Sequence, residues 1–159
     1  MLVQSDRFGP LEIPGNKIIT MEKPILGFEK LVRYCLIEQE EFLPFMWLQS
    51  LEDSFIAFIV VNPIIFFEDY RIRVHFKEVA DLKVKSSDKV ETYVIVNVPK
   101  NPVEMSVNLQ GPILINTENN LAKQLVLVDS DYQIHHPLIE VTEETAKSKA
   151  LDIDELVGV

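Results

Sequence analysis

The chain has 159 residues, 47% hydrophobic and 25% charged, close to soluble averages, and at this length one domain with one core is expected. Its 25 acidic against 15 basic residues give a formal charge of -10 with no basic run, which disfavours direct binding to RNA or DNA, since that depends on Lys and Arg neutralising phosphates. The same field attracts basic protein surfaces and leaves open an indirect action on RNA, through occupation of an RNA-binding protein.

Met1 to Asp6 has no basic start and no long apolar stretch, so no signal peptide is expected there and a cytoplasmic location is. Runs of β-branched and aromatic residues predict strands at Lys17 to Thr20, Phe45 to Ser50, Ala57 to Val61, Thr92 to Asn97, Ile113 to Ile115 and Leu125 to Val128. Val32 to Ile37 alternates like a strand as well, which reads the lone Cys35 as a small core residue. A single cysteine excludes an intramolecular disulfide and fits a reducing compartment.

In Ala57 to Val61 both faces are apolar, Ala57, Ile59 and Val61 on one side and Phe58 and Val60 on the other. Such a strand is central or lies under a partner, and Tyr93 to Val96 repeats the pattern. The stretch Ser54 to Phe67 is the most apolar, yet Asn62-Pro63 interrupts it. It falls short of the roughly 20 residues of a spanning helix, so no membrane segment is expected.

Turn chemistry at Gly9-Pro10, Pro14-Gly15-Asn16, Asn62-Pro63, Pro99 to Pro102, Gly111-Pro112 and Asn119-Asn120 divides the runs at short intervals. The pattern predicts a mainly β chain, a small antiparallel β-barrel-like single domain with one or two short helices. Phe76 to Leu82 is the expected helix, with a second short turn near Phe28 to Leu31. Residues 1–138 form the body. Residues 139–159, net charge -4, read as an acidic tail that is helical or disordered.

The five glycines match neither the dinucleotide-binding fingerprint nor the phosphate-cradling loop. His135 and His136 point to opposite faces of an extended segment, so they do not share a metal, and no cofactor is expected. The pairs Glu40-Glu41, Glu52-Asp53, Glu68-Asp69 and Glu143-Glu144 read as solvated turns rather than acid and base carboxylates. Nothing at catalytic spacing is present, so the chain is not expected to be an enzyme. Phe45, Trp47, Phe66, Phe67 and Tyr70 are of the types that anchor interfaces, with Glu68 and Asp69 as a charged rim, although each aromatic also suits a core. The Phe66 to Tyr70 turn is the site expected to be most exposed. The competing reading is a small-ligand-binding or hydrolytic barrel with Trp47 and Phe66 at its mouth and Glu52, Asp53 or His136 as polar groups.

Several blocks, in order and at family spacing, add a resemblance. They are Ile18-Ile19-Thr20, Leu26-Gly27-Phe28-Glu29, Pro44 to Asp53, Val60 to Tyr70, Tyr93 to Val96, Val107 to Asn116 and His136-Pro137-Leu138. Together they resemble the FliW family of flagellar assembly factors across roughly residues 1–138. The resemblance implies a β-barrel-like fold, no catalysis, a cytoplasmic setting and two protein partners, flagellin and the translational regulator CsrA. It also implies a chaperone-like role toward flagellin. In the implied switch, accumulated flagellin occupies the protein and frees CsrA to repress flagellin messenger RNA; export of flagellin reverses this. Leu26 and Phe28 join the expected partner-binding residues on the same ground. Pro24 stands where the family often has glycine.

Overall fold

The computed structural model describes residues 1–128 and 130–138; the expected acidic tail lies outside the described residues. An N-terminal hairpin of β1 (Leu2–Ser5) and β2 (Gly9–Glu12) precedes the main sheet, with Gly9 supplying the left-handed φ of +74° at its turn. The sheet then takes β3 (Ile19–Lys23), β4 (Arg33–Ile37), β5 (Met46–Ser50), β6 (Ala57–Val61) and β7 (Val90–Asn97). It is completed by β8 (Ser106–Val107), β9 (Ile113–Asn116), β10 (Leu121–Gln124) and β11 (His136–Pro137).

The hydrogen-bonded order β7-β6-β5-β4-β3-β10-β9 closes on itself because β9 also pairs with β7. Seven strands therefore form a closed barrel. The long β7 makes this possible by serving three neighbours: Val90 to Tyr93 pair with β9, Val94 and Ile95 with β6, and Val96 and Asn97 with β8. The short β8 carries β11 at its outer edge. All pairings are antiparallel except β10 with β3, where Leu121 lies opposite Thr20 and a register shift follows Ala122.

Period-2 alternation sorts the side chains into two apolar clusters. One draws on every barrel strand, with Ile19, Met21, Tyr34, Leu48, Val60, Tyr93, Ile113, Ile115 and Ala122, and so fills the barrel interior. Phe28 and Leu31 close over it, with Phe28 set edge-on to Phe58 at 4.9 Å. The larger cluster covers the outer face, where Cys35, Trp47, Val61, Val94 and Leu114 meet Val3 from the hairpin, Phe66, Tyr70 and Leu82 from the 62–89 connection, and Leu125, Leu127 and Leu138 near the end of the body. The central position expected for β6 and β7 follows from this double coverage.

Three local expectations are corrected. Leu125 to Val128 is not a barrel strand: the Leu125 and Leu127 N–H groups donate to the Pro112 and Gln110 carbonyls, so it is an extended strap bonded along one side. The Phe28 to Leu31 segment forms turns through Phe28 N–H to Ile25 O and Leu31 N–H to Phe28 O, not helix. The Phe76 to Leu82 helix exists only as α1 (Phe76–Val79) followed by a 3-10 turn, Ala80–Leu82, where Leu82 is buried and Lys83 turns left-handed at φ 54°.

Candidate partner-binding surface

The expected site begins at Asn62, whose side chain accepts the Ile64 N–H at 3.1 Å and caps a 3-10 turn over Pro63–Ile65. The chain then turns twice, through Phe67 N–H to Pro63 O and Tyr70 N–H to Phe67 O, making a tight knuckle from 63 to 70. Its two inward residues lock it down. Phe66 packs on Phe45 at 5.8 Å between ring centroids, and the Tyr70 hydroxyl donates to the Leu109 carbonyl at 2.7 Å. Tyr132 packs against Tyr70, tilted, at 4.6 Å, and the Arg71 guanidinium donates to the Glu68 and Tyr70 carbonyls, closing the turn from outside. Burial first, and the neighbouring Tyr132 second, push the Tyr70 phenol above its ordinary range, so it remains a proton donor.

The exposure expected of this turn holds for part of it. Glu68 and Asp69 are exposed, and Phe67 is half-buried, edge-on to the His136 ring at 4.9 Å. Phe66 and Tyr70 are only 8% and 4% exposed, and Phe45 and Trp47 are 2% each. These four are core residues. The physical reason is the second apolar layer: Trp47 on β5 lies under Phe8 of the hairpin turn, Phe45 lies against Phe66, and Phe66 and Tyr70 are themselves the inward side of the covering 62–89 connection. Trp47 is boxed by Phe8 at 5.1 Å and Phe42 at 5.5 Å, with the Arg7 guanidinium 5.0 Å from its ring.

Leu26 is exposed on a pinned loop, where Gly27 takes φ +90° and the Leu26 N–H donates to Gln124 Oε1 at 2.9 Å. Phe28 is half-buried and belongs to the barrel-filling cluster, whereas the knuckle packs on the outer one. The expected site residues therefore divide between two places.

Residues not expected from the sequence complete the surface. Ile64 and Ile65 are half-exposed beside Phe67, so the knuckle presents an apolar tip with an acidic rim. Beyond it Arg71, Arg73 and His75 line a cleft of about 810 Å³ together with Val126 and Val128. The alternation Arg71-Ile72-Arg73-Val74-His75 was the available signal, being a strand-like pattern with one charged face.

Of the polar groups of the competing barrel-mouth reading, Glu52 and Asp53 are engaged elsewhere, whereas the His136 ring lies edge-on to Phe67 and its buried Nδ1 has no hydrogen-bond partner among the described residues. Glu52 accepts the Val32 and Arg33 N–H groups at 2.7 and 2.9 Å and pairs with the Arg33 guanidinium at 2.9 Å. Burial pushes its carboxyl up, but these donors and the Arg33 charge more than offset that and hold it below the ordinary range. Asp53 caps its own turn through the Phe55 N–H. Trp47 and Phe66, the proposed lining, are sealed in the core. No group of three His, Cys, Asp or Glu side chains among the described residues is arranged to hold a metal ion.

The described residues define a small, mainly β barrel protein, seven strands closed on themselves with a locked, outward-facing apolar and acidic turn. The family model described as FliW protein matches residues 2–138. The chain is 39% identical over 139 residues to the flagellar assembly factor FliW of Natranaerobius thermophilus, covering 87% of this chain and 92% of that one. Against the Clostridium botulinum protein of the same description it is 41% identical over 140 residues, covering 88% and 99%. A crystal structure of the flagellar assembly factor FliW matches with a TM-score of 0.80 at 29% identity over 87% of this chain and 96% of that one. The chain belongs to the FliW family of flagellar assembly factors. Among the described residues no helix is long and apolar enough to cross a membrane.

Proposed function

We propose that this chain binds flagellin and, alternatively, the translational regulator CsrA, acting as a chaperone-like switch in the cytoplasm. Flagellin held in the cell occupies the protein and leaves CsrA free to repress flagellin messenger RNA. Once flagellin is exported, the freed protein sequesters CsrA, and translation is coupled to assembly. The observation that carries this reading is the family match across residues 2–138, which takes in the whole barrel and the knuckle. Phe67, Glu68 and Asp69, with Ile64 and Ile65, supply the partner surface.

The charge of -10 supports the same reading, because a protein of this sign docked on an RNA-binding surface repels RNA over about a Debye length, roughly 8 Å at physiological salt. Inhibition of CsrA–RNA binding should then weaken as salt rises at equal occupancy; inhibition indifferent to ionic strength contradicts the electrostatic part. The switch is tested by adding CsrA and then monomeric flagellin to the chain and following the complexes by size-exclusion chromatography with light scattering. Displacement of CsrA by flagellin is the expected result.

A further inference from the structure

Both backbone groups of the buried Leu109 are taken, by two different parts of the chain. Its carbonyl accepts the Tyr70 hydroxyl at 2.7 Å, and its N–H donates to the Gln133 carbonyl at 3.0 Å. The knuckle and the segment 130–138 thus meet at one fixed residue. That segment is held to the body independently of the knuckle. The Ser130 hydroxyl donates to the Leu127 carbonyl at 2.8 Å, β11 pairs with β8, and the Leu138 N–H donates to the Met105 carbonyl at 3.1 Å.

From this frame two rings reach the knuckle. Tyr132 packs against Tyr70 and accepts the Arg71 N–H on its hydroxyl at 2.8 Å, which fixes the end of the turn. His136 sets its ring edge-on to Phe67 at 4.9 Å, which fixes the middle. The His136 Nδ1 is buried without a hydrogen-bond partner among the described residues, a state that by itself lowers stability. The ring contact with Phe67 is set against that cost.

Phe67, Glu68 and Asp69 therefore take their geometry from a segment distant in sequence. Fixing one backbone residue during binding, rather than before it, lowers affinity about tenfold. A clasp that orders the turn beforehand removes that loss from the binding step.

We propose that Tyr132 and His136 are positioning residues for partner binding, which act through Tyr70 and Phe67 to hold the knuckle in the arrangement a partner meets. The inference rests on the knuckle being the partner surface and deepens that reading by naming what sets its affinity. When the clasp is loosened, only a fraction of the molecules is competent, and the apparent affinity falls by that fraction.

The test measures the affinity of folded His136→Ala and Tyr132→Ala chains for CsrA and for monomeric flagellin by calorimetry. Met21→Ala serves as the control for lost stability, since Met21 lies on β3 and fills the barrel interior. Each clasp variant should bind at least about tenfold more weakly, with the control unchanged per folded molecule. His136→Phe keeps a ring against Phe67 and should restore affinity. In a Phe67→Ala chain, His136→Ala should cause no further loss, because it acts through that ring. Full affinity in both clasp variants, an equal loss in the control, a loss that persists in His136→Phe, or an additive loss with Phe67→Ala overturns the proposal. A second arm needs no partner. The Phe67 and Tyr70 amides, which donate to the Pro63 and Phe67 carbonyls, should exchange at least about fivefold faster in each clasp variant than in Met21→Ala. Unchanged exchange overturns the clasp even where both proteins bind. A wild-type chain that captures neither protein removes the switch, and the exchange arm then decides the clasp alone.

Discussion

The Tyr70 and Tyr132 rings pack tilted at 41° with centroids 4.6 Å apart, and the Tyr132 hydroxyl accepts the N–H of Arg71, the residue that follows Tyr70. One ring pair thus ties the knuckle to the segment leading into β11. Tyr70 in turn donates to Leu109 O, which lies beside the 110–112 segment that holds the 125–128 strap. Replacing Tyr70 with Phe keeps the ring contact and leaves the buried Leu109 carbonyl without its donor. We expect a loss of about 1–3 kcal/mol in urea unfolding at unchanged m-value. An unaltered midpoint contradicts the assignment.

Core and surface aromatics of the same motif should separate cleanly. Trp47→Ala opens a cavity beside Phe8 and Phe42, and Phe45→Ala one beneath Phe66; each costs about 3–5 kcal/mol, with partner affinity per folded molecule preserved. Phe67→Ala combined with Asp69→Lys should leave the unfolding midpoint nearly unchanged and lower partner affinity at least about tenfold, measured by calorimetry. A folded double variant with full affinity removes the knuckle from the interface.

This division shows where sequence pattern carries and where it stops. Ala57 to Val61 announced a doubly covered strand because both of its faces are apolar, and β6 is central. At the start of β5 the same double coverage hid the fate of Trp47 and of Phe45 just before it, since an interface aromatic and a core aromatic look alike until the covering layer is known. β10 escaped notice because Lys123 and Gln124 are polar yet buried: Lys123 Nζ donates to Glu78 O and pairs with Asp81 at 3.0 Å, and Gln124 Nε2 donates to Gly111 O at 3.1 Å. Its parallel pairing with β3 depends on a long-range contact that no local pattern encodes. The knuckle was legible through Asn62-Pro63, whereas the cleft lined by Arg71, Arg73 and His75 needed the 125–128 strap to be placed beside it.

Gly111 tests the polar network that pins the Leu26 loop. A Cβ there would lie 2.8 Å from Asn108 Nδ2 and 2.9 Å from Gln124 Nε2, two side-chain ends that are themselves hydrogen-bonded around Gly111. In Gly111→Ala the Gln124 side chain must move, and its bond from the Leu26 N–H opens. Hydrogen exchange at the Leu26 amide should rise at least about fivefold, with a stability loss of about 1–3 kcal/mol. Unchanged protection at Leu26 contradicts the bridge.

Three buried tyrosines set the alkaline limit of the fold. Burial, with repulsion from Glu52 second, pushes the Tyr34 phenol up to about 12. Burial also raises Tyr93, followed by its hydrogen bond to Glu91 and the charges of Glu91 and Glu38, and Tyr70 is raised by burial and then by Tyr132. The folded state therefore holds these protons more tightly than the unfolded chain, whose phenols titrate near 10. The stability they contribute is complete below about pH 10 and is lost as pH rises above it toward the folded values. Phenolate absorbance of these residues should appear together with loss of tertiary structure; their ionisation near pH 10 with the fold intact contradicts the account.

The most direct test of the central claim is the competition titration, with the chain bound to CsrA at defined stoichiometry and monomeric flagellin then added. The account predicts that flagellin releases CsrA and that the Phe67→Ala, Asp69→Lys chain forms both complexes at least about tenfold more weakly. A folded chain that captures neither protein, or one that holds both at once without displacement, contradicts it.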